Sequence, residues 1–361
     1  MSRNVLVLSP YDASSHNYWW RGVVRHLPEF TFSVHTLPGR YFSWRFRGNS
    51  LTFHDTDFGG DHELLLCTSM TDLSALRGMN ASVRNLPAMM YFHENQFAYP
   101  TSEPPSHLLE RQVTSLYGAL AADLLAFNSA YNRDTFLVGV DSLLVKLPDG
   151  VPSGIAETLQ QRSVILPVPL DTAEIIASGE RHRTSESLVL VWNHRWEADK
   201  GVDRLLALMR VLVARSFDFK LHILSGDTRK VPAEMVAVQA LLDATGHLGH
   251  VGFVSSRDGY LKILADADVV LSTAEHEFQG LAVLEAVANG CVPLVPDRLA
   301  YRELFAEPYR YPVGSIQTEA DLAADRLAQL VSAGTRAPDV SHLTWTALAG
   351  DYRRLLGGLA G

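Results

Sequence analysis

The sequence has few cysteines and no long hydrophobic run. Its two cysteines, Cys67 and Cys291, are far apart and match no zinc or thiol–disulfide spacing. We expect both to be buried and reduced. No stretch approaches the ~20 apolar residues of a membrane-spanning helix, and the first residues lack the apolar run of a signal peptide. The sequence therefore predicts a cytoplasmic protein without membrane association.

The chain also lacks an excess of positive charge. It carries 31 Lys and Arg against 40 Asp and Glu, a net charge of -9. Such a chain does not bind nucleic acid through bulk charge, although a local basic patch remains open. With 361 residues, 47% hydrophobic and 20% charged, it is large enough for two globular domains.

Short apolar runs alternate with helical segments along both halves. These runs have the near-continuous apolar character of strands buried on both faces of a parallel sheet. They are Val5–Ser9, Phe32–Leu37, Leu64–Thr68, Ala88–His93, Leu124–Asn128, Val164–Pro167, Leu188–Trp192, Lys220–Leu224, His250–Val254, Val269–Ser272 and Val292–Pro296. We expect domains at 1–170 and 188–342, a polar linker at 171–187 and an amphipathic C-terminal helix within 343–361.

The most informative segment follows the predicted strand Val269–Ser272. Glu277 lies in a loop, Glu285 lies about two turns into the next helix, and Gly280 between them allows a close approach of the backbone to a ligand. Free amides at the start of this helix suit phosphate or sugar oxygens. In parallel α/β sheets, ligands bind beyond the carboxyl ends of strands. The alternative is a surface loop that enters an amphipathic helix.

Two cations follow the predicted strand Leu188–Trp192. Arg195 and Lys200 are five positions apart in the loop before the next helix. Fixed cations stabilise the negative charge that develops on a departing diphosphate. The alternative is a charged loop whose cations are only solvated.

The carboxylate segment resembles the signature of retaining GT-B glycosyltransferases: Glu277-x7-Glu285, with Gly280-Leu281 between them and a Gly-x-Val-Pro strand after them. This resemblance implies an α/β fold of two Rossmann-like domains facing a central cleft, with the last helix crossing back to the N-terminal domain. It implies that Glu277 contacts the donor sugar, that Glu285 binds the nucleotide ribose, and that Arg195 and Lys200 bind the donor phosphates. The resemblance also implies that the donor contacts the backbone of Phe278, Gln279, Gly280 and Leu281.

A metal site is not expected. The Asp-x-Asp pattern of metal-dependent glycosyltransferases occurs at Asp55–Asp57 and at Asp266–Asp268. Such matches are common by chance, and the second has the position of a turn between a helix and a strand. We therefore expect metal-independent transfer with no cofactor.

The first half contributes further candidates. His93 ends the predicted strand Ala88–His93, and the GT-B resemblance places it near the donor sugar and the acceptor. Its alternative is a histidine hydrogen-bonded within the loop. Ser14, Ser15 and His16 occupy the loop where most relatives have Gly-Gly, and they are expected to contact the donor.

A narrower resemblance covers about a hundred residues. Ser15-His16, the segment 36–47 and His93-Glu94-Asn95-Gln96, in this order, resemble the tRNA-queuosine mannosyltransferases. Those enzymes move mannose from GDP-mannose onto queuosine in a tRNA anticodon. The resemblance implies GDP-mannose as co-substrate and queuosine-modified tRNA as partner. It places Asn95 and Gln96 on the acceptor side.

The residues of segment 40–47 suit RNA. Arg40, Arg45 and Arg47 alternate with aromatic residues, Trp44 among them. Cations bind phosphates while aromatic rings stack on unpaired bases. The alternative is an edge strand with a half-buried aromatic face.

Two other functions remain open at this point. One keeps the fold and donor chemistry but transfers to a glycan, a lipid or a small metabolite. The other is a non-catalytic RNA-binding protein.

Overall fold

The computed structural model describes residues 3–99, 105–171, 175, 187–225 and 231–359. The chain divides into two compact units, residues 1–169 together with 345–361, and residues 170–344. Each unit contains a parallel sheet of six strands with helices on it. Apart from residues 171, 175 and 187, the linker predicted at 171–187 lies outside the described residues.

The first unit has the strand order β2-β1-β3-β4-β5-β6. Its strands are β1 (Arg3–Asp12), β2 (Phe30–Pro38), β3 (Leu64–Thr68), β4 (Ala88–Phe92), β5 (Leu124–Phe127) and β6 (Ser163–Ile165). Its helices are α1 (Ser14–His26), α2 (Phe42–Phe53), α3 (Leu73–Met79), α4 (Pro105–Ala121), α5 (Ala130–Leu144), α6 (Ile155–Gln161) and α13 (Trp345–Leu359). Every residue of β3 and β4 is buried, as their apolar runs predicted.

The second unit has the strand order β12-β11-β10-β7-β8-β9. Its strands are β7 (Leu188–Asn193), β8 (Phe219–Leu224), β9 (Leu248–Gly252), β10 (Val269–Leu271), β11 (Val292–Pro296) and β12 (Arg310–Tyr311). Its helices are α7 (Val202–Ala214), α8 (Ala233–Ala244), α9 (Arg257–Asp266), α10 (Leu281–Ala288), α11 (Tyr301–Leu304) and α12 (Ile316–Ser332). Strands β7 and β10 are neighbours where the strand order reverses, the position at which such sheets bind ligands.

The last helix belongs to the first unit, as the GT-B resemblance implied. Trp345 at its start stacks on His26, with ring centroids 4.9 Å apart. A Cβ at Gly22 of α1 would come within 2.7 Å of the Trp345 ring, so only glycine admits the indole. The buried Tyr352 hydroxyl accepts from the Trp19 indole (3.1 Å) and donates to the Pro167 carbonyl (3.0 Å). These contacts attach the end of the chain to its beginning.

Three local features of the fold differ from the sequence prediction or could not be predicted from the sequence. The segment after Tyr41 is helix α2, so the alternation of arginines and aromatics does not place them on two faces of a strand. Helix α5 is capped by Ser129, which accepts from the Asn132 amide, and it continues to Leu144. Strand β12 has only two residues, too few for a sequence pattern.

Two expectations about the chain as a whole can be compared with the fold. Cys67 and Cys291 are both buried and unbridged, as expected. Among the described helices, none combines the length and apolar character needed to cross a membrane.

Candidate active site

The two predicted donor motifs meet at the centre of the second sheet. Lys200 follows β7 and Glu277 follows the adjacent β10. The Lys200 ammonium lies 3.2 Å from one Glu277 carboxylate oxygen and 3.3 Å from Asp199, and it donates to the His276 carbonyl at 2.9 Å. The Lys200 side chain is 10% exposed. The structure therefore joins the basic and acidic motifs in one buried cluster.

The ionisable groups of this cluster shift one another's pKa values toward the charged forms of Lys200 and Glu277. Burial opposes the charged form of Glu277, but Lys200 and His194 outweigh it and lower its pKa to about 2. Burial likewise works against the charged form of Lys200, but Glu277 and Asp199 outweigh it and raise its pKa. Both groups are therefore charged at neutral pH. One cation between two carboxylates leaves the trio with a net negative charge.

Two neutral histidines border the ion pair. Burial, and then the charge of Lys200, lower the pKa values of His194 and His276 to about 4. His194 is 4% exposed, and its ring hydrogen-bonds the Leu271 backbone. Its Nε2 is buried and has no hydrogen-bond partner in the part of the chain that the structure describes. His194 thus borders the cluster as a neutral imidazole.

The loops that carry the two motifs are held together by backbone contacts. The Asp199 carbonyl accepts from the amides of Glu275 (2.9 Å) and His276 (3.1 Å). Gly201 has φ +64°, and a Cβ there would lie 2.1 Å from the Thr273 carbonyl oxygen. Only glycine permits both the left-handed backbone and this approach. Lys200 and Glu277 are consequently placed by the main chain as well as by their own ion pair.

The start of α10 differs in part from the sequence prediction. Gly280, at φ +77°, precedes the helix, as expected of a ligand-binding turn. The amides of Phe278 and Gln279, however, donate to the Glu277 carboxylate at 3.1 and 3.4 Å. These two amides, predicted to hold the sugar and diphosphate, are turned to the neighbouring carboxylate in this structure.

Glu285 lies at the end of a chain of hydrogen bonds. The Asn193 amide donates to the Tyr260 hydroxyl (3.0 Å), which donates to one Glu285 oxygen (3.1 Å). Arg257 binds the other oxygen and lies 5.0 Å above the Tyr260 ring. A ribose at Glu285 would meet a carboxylate that is already oriented by Tyr260 and Arg257.

Arg195 stands apart from the buried pair. Its side chain is 55% exposed and pairs with the exposed Glu197 at 3.1 Å. An exposed pair of this kind contributes only ~0–1 kcal/mol, so its guanidinium exchanges partners at little cost. The two predicted phosphate ligands thus have different surroundings.

In the first unit, the histidines after β1 and β4 come together. The rings of His16 and His93 stack with centroids 4.2 Å apart and planes at 19°. Trp19 meets His93 edge-on at 5.1 Å. Burial lowers the pKa of His16 to about 4, and burial together with His16 lowers that of His93 further below its usual range. Both imidazoles are neutral at pH 7, and His93 Nε2 is buried with no hydrogen-bond partner among the described residues.

The remaining candidates of the first unit are divided between surface and interior. Ser14 and Ser15 are exposed in the first turn of α1, which has no side-chain cap. Asn95 is 1% exposed and binds Asn132, Thr135 and two backbone amides, so it holds the loop rather than presenting its amide to an acceptor. Gln96 is also buried.

Segment 40–47 exposes Tyr41 and Trp44 but buries Phe46, and its cations are not all open. Trp44 is 53% exposed, and Arg40 lies over the Tyr41 ring at 5.6 Å. Arg47 binds the buried Asp72 carboxylate and lies 3.5 Å from Glu110. Arg45 is half-buried, with its Nε enclosed. Of the three arginines predicted to bind phosphate, Arg47 is therefore engaged by carboxylates and Arg45 is partly enclosed.

The two Asp-x-Asp matches lie in ordinary surroundings. Asp57 accepts from the Gly59 amide at 2.9 Å, and Asp268 accepts from the Val189 amide at 2.9 Å between α9 and β10. Within the described ranges, no group of three or more His, Cys, Asp or Glu side chains is arranged to hold a metal ion.

Several residues of the site were not predicted from the sequence. His194 and Asp199 flank the cations already singled out, so their positions after β7 were a usable signal. Asn193 ends the strand itself. Tyr260 comes from α9, where nothing in the sequence marks it as a partner of Glu285.

The halves of the chain match two family models. Residues 4–170 match the tRNA-queuosine alpha-mannosyltransferase N-terminal model, and residues 177–338 match glycosyl transferases group 1. A tRNA-queuosine alpha-mannosyltransferase of Drosophila melanogaster is 30% identical over 326 residues, 88% of this chain and 85% of that protein. The chain belongs to the tRNA-queuosine alpha-mannosyltransferase family. It is a glycosyltransferase, which confirms the resemblance found in its sequence.

Other relatives of this family member are more distant. A GDP-mannose-dependent alpha-(1-6)-phosphatidylinositol dimannoside mannosyltransferase of Mycobacterium tuberculosis is 31% identical over 121 residues, 34% of this chain and 30% of that protein. The solved structure of a trehalose-phosphate synthase of Burkholderia xenovorans aligns over 100% of this chain and 100% of its own, with TM-score 0.65 and 12% identity. Anabaena HepE in complex with UDP-glucose covers 98% of this chain and 95% of its own, with TM-score 0.61 and 12% identity. These structures confirm the α/β GT-B fold class.

Proposed function

We propose that the protein transfers mannose from GDP-mannose to queuosine in the anticodon of tRNA. Transfer retains the anomeric configuration, needs no metal or cofactor, and takes place in the cytoplasm. The observation that carries the proposal is the 30% identity to the Drosophila enzyme along 88% of the chain, which spans both units. The Mycobacterium relative, named for a lipid acceptor, matches only 34% of the chain and supports the donor more than the acceptor.

The proposed donor site is the cluster at β7 and β10. Arg195 exchanges Glu197 for the diphosphate, and Lys200 supplies a second, buried cation beside it. Arrival of the diphosphate frees Glu277 and the amides of Phe278 and Gln279 for the sugar. Glu285 then binds the ribose in place of one of its present partners.

In the transfer step, the bond between the anomeric carbon and the diphosphate oxygen breaks. The queuosine hydroxyl oxygen bonds to the same face of the anomeric carbon, and its proton passes to the departing diphosphate oxygen. The product is mannosyl-queuosine with GDP. Cations fixed beside the diphosphate stabilise the charge that develops on it. Exclusion of water limits hydrolysis of the donor.

The test is mass spectrometry of tRNA nucleosides after reaction. Purified protein is incubated with GDP-mannose, GDP-glucose or UDP-glucose, and with tRNA that either carries or lacks queuosine. We expect a hexose added to queuosine with GDP-mannose and no product on tRNA with guanosine at that position. No product with any donor would contradict the acceptor, and an equal yield with UDP-glucose would contradict the donor.

Metal independence has its own measurement. Initial rates are compared after treatment with a chelator and after addition of manganese or magnesium. We expect unchanged rates, since Arg195, Lys200 and backbone amides supply the positive charge. Loss of activity that manganese restores would contradict this part of the proposal.

A further inference from the structure

A groove in the first unit, separate from the residues assigned above to donor binding, has the composition of a nucleobase site. It has a volume of about 290 Å³ and lies between α2, α3 and α4. Arg47 lines it from α2 and Ser74 from α3, while Leu109, Glu110, Thr114 and Tyr117 line it from α4. Tyr117 is 55% exposed and Leu109 is 44% exposed, so large apolar side chains at this concave site are open to solvent.

The floor of the groove is held by a network of hydrogen bonds around Asp72. The Asp72 side chain is fully buried and binds the Arg47 guanidinium, and it also accepts from Ser74 Oγ (3.2 Å) and the Ala75 amide (3.3 Å). Asn49 accepts from the Asp72 amide at 3.0 Å and donates to the Met70 carbonyl at 2.9 Å. Arg47 is therefore held by one edge while its side chain remains 54% exposed.

The charges favour a neutral, flat ligand. Arg47 faces Asp72, whose oxygens are engaged, and Glu110, whose side chain is 59% exposed. The lining thus carries one positive and two negative charges, which opposes a phosphate. It offers donors from Arg47, an acceptor at Glu110 and an aromatic face at Tyr117. Unpaired bases are recognised by this combination of stacking and hydrogen bonds to the base edge.

Part of the groove lining follows the carboxyl end of the first sheet. Asp72 and Ser74 follow β3, whose neighbour β4 leads to His93. Ser69 Oγ donates to the Glu94 carbonyl at 3.3 Å and joins the two loops. An anticodon loop that presents queuosine near His93 has unpaired bases on both sides of it.

We propose that this groove binds one unpaired base adjacent to queuosine in the anticodon loop. Tyr117 stacks on the base, Arg47 donates to a ring or carbonyl acceptor, and Glu110 accepts from an amino or imino group. The inference rests on the proposed tRNA substrate and adds a site that reads its neighbouring sequence.

The test uses anticodon stem-loops that contain queuosine, either intact or with an abasic nucleotide at one of the two neighbouring positions. Binding is measured for the wild type, for Tyr117→Ala and for Tyr117→Phe. Val138→Ala, at an apolar residue of α5 that is 65% exposed and outside the groove lining, is the control. Melting temperatures and GDP binding are measured for each variant.

We expect Tyr117→Ala to weaken binding of the intact stem-loop by roughly tenfold, within the range of base–aromatic stacking. An abasic nucleotide at one of the two positions should weaken binding to the wild type by a similar factor. The same abasic nucleotide should not weaken binding to Tyr117→Ala further, because that variant already lacks the stacking contact. Tyr117→Phe and Val138→Ala should bind as the wild type does.

The outcomes separate the two proposals. If the wild type fails to bind any queuosine stem-loop, both the tRNA substrate and the groove are overturned. If the wild type binds and transfers mannose but Tyr117→Ala binds intact and abasic stem-loops as the wild type does, only the groove is overturned. The groove is also overturned if each of the two abasic nucleotides weakens binding to Tyr117→Ala by the same factor as it weakens binding to the wild type.

Discussion

Arg298 holds the Glu319 carboxylate with two hydrogen bonds, of 3.0 and 2.9 Å. Glu319 lies in the first turn of α12 and its side chain is 2% exposed. Arg298 also donates to the Ala274 carbonyl at 2.9 Å, and Arg204 bridges Glu319 to Glu275. A buried carboxylate on α12 thus supports the loop that carries Glu277.

We expect Glu319→Gln to lower both stability and transfer. It leaves the largely buried Arg298 without its counter-ion and Arg204 with Glu275 alone, and breaking a buried pair costs ~3–5 kcal/mol. Glu275→Gln, whose side chain is 44% exposed, should have little effect on stability. Melting temperatures, kcat and KM for GDP-mannose are the measurements. Unchanged kcat and KM in folded Glu319→Gln would show that the carboxylate supports the fold but does not position the loop.

Substitution of the two candidate phosphate ligands should give different outcomes. Arg195→Ala removes an exposed cation, so transfer should fall roughly a hundredfold, or ~3 kcal/mol, with an unchanged melting temperature. Lys200→Ala leaves Asp199 and Glu277 without their buried partner, so both activity and stability should fall. Wild-type turnover of Arg195→Ala would remove it from the diphosphate site.

The two glutamates should separate in binding measurements. Glu285→Ala should weaken binding of GDP and GDP-mannose alike, because its proposed partner is the ribose. Glu277→Ala should weaken GDP-mannose more than GDP, because its proposed partner is the sugar. Isothermal calorimetry with both ligands distinguishes the roles. Equal losses for both ligands in both variants would contradict this division.

Stability should fall as the pH is lowered from about 6.5 toward 4. The pKa values of His16, His93, His194 and His276 are all lowered by burial, so the folded protein stays neutral at these positions while the unfolded chain takes up protons. Each histidine contributes up to ~1.4 kcal/mol per pH unit in that window. Below the pH at which a glutamate ordinarily takes up a proton, Glu277 lowers the stability further, because its carboxylate has a lowered pKa in the folded protein.

Urea unfolding between pH 7.5 and 5 measures this slope. Replacement of His16 by Gln should make the slope shallower, since one proton-binding difference is removed. A free energy of unfolding that stays constant across this range would contradict the neutral state of the four rings.

The exposed ring of Trp44 and the charge of Arg40 should affect tRNA binding in different ways. Arg40→Ala should reduce the salt dependence of tRNA affinity by about one unit of slope. Trp44→Ala should weaken affinity by ~1–3 kcal/mol with little change in slope or melting temperature, because the ring is 53% exposed. A salt series with tRNA, and GDP binding as the control, tests both. Affinity and slope that neither substitution alters would remove this segment from the tRNA surface.

The sequence indicated the sheets well because their strands are locally encoded. Apolar runs such as Leu64–Thr68 are buried on both faces, and the residue after each run is then at the ligand-binding edge. This reasoning found Lys200 and Glu277 although 77 positions separate them. It did not find α2, where the arginines and aromatics lack a clear helical periodicity.

Partners from distant elements were beyond the same reasoning. Tyr260 reaches Glu285 from α9, and Glu319 supports the donor loop from α12. Each is an ordinary helical residue in the sequence, and only the packing of the helices shows what it contacts. The same holds for Asn95, whose motif suggested a ligand but whose hydrogen bonds go to α5.

The return of α13 to the first unit has a consequence for synthesis of the chain. The second unit is an insertion whose first and last residues pair, since the Leu170 amide donates to the Leu343 carbonyl at 2.8 Å. A ribosome therefore completes residues 170–344 before it makes the helix that covers Trp19. At ordinary translation rates this delay lasts on the order of ten seconds or more. Throughout this time the nascent first unit lacks the helix that brings Tyr352 to Trp19, so its aromatic core is completed only after the second unit has been made.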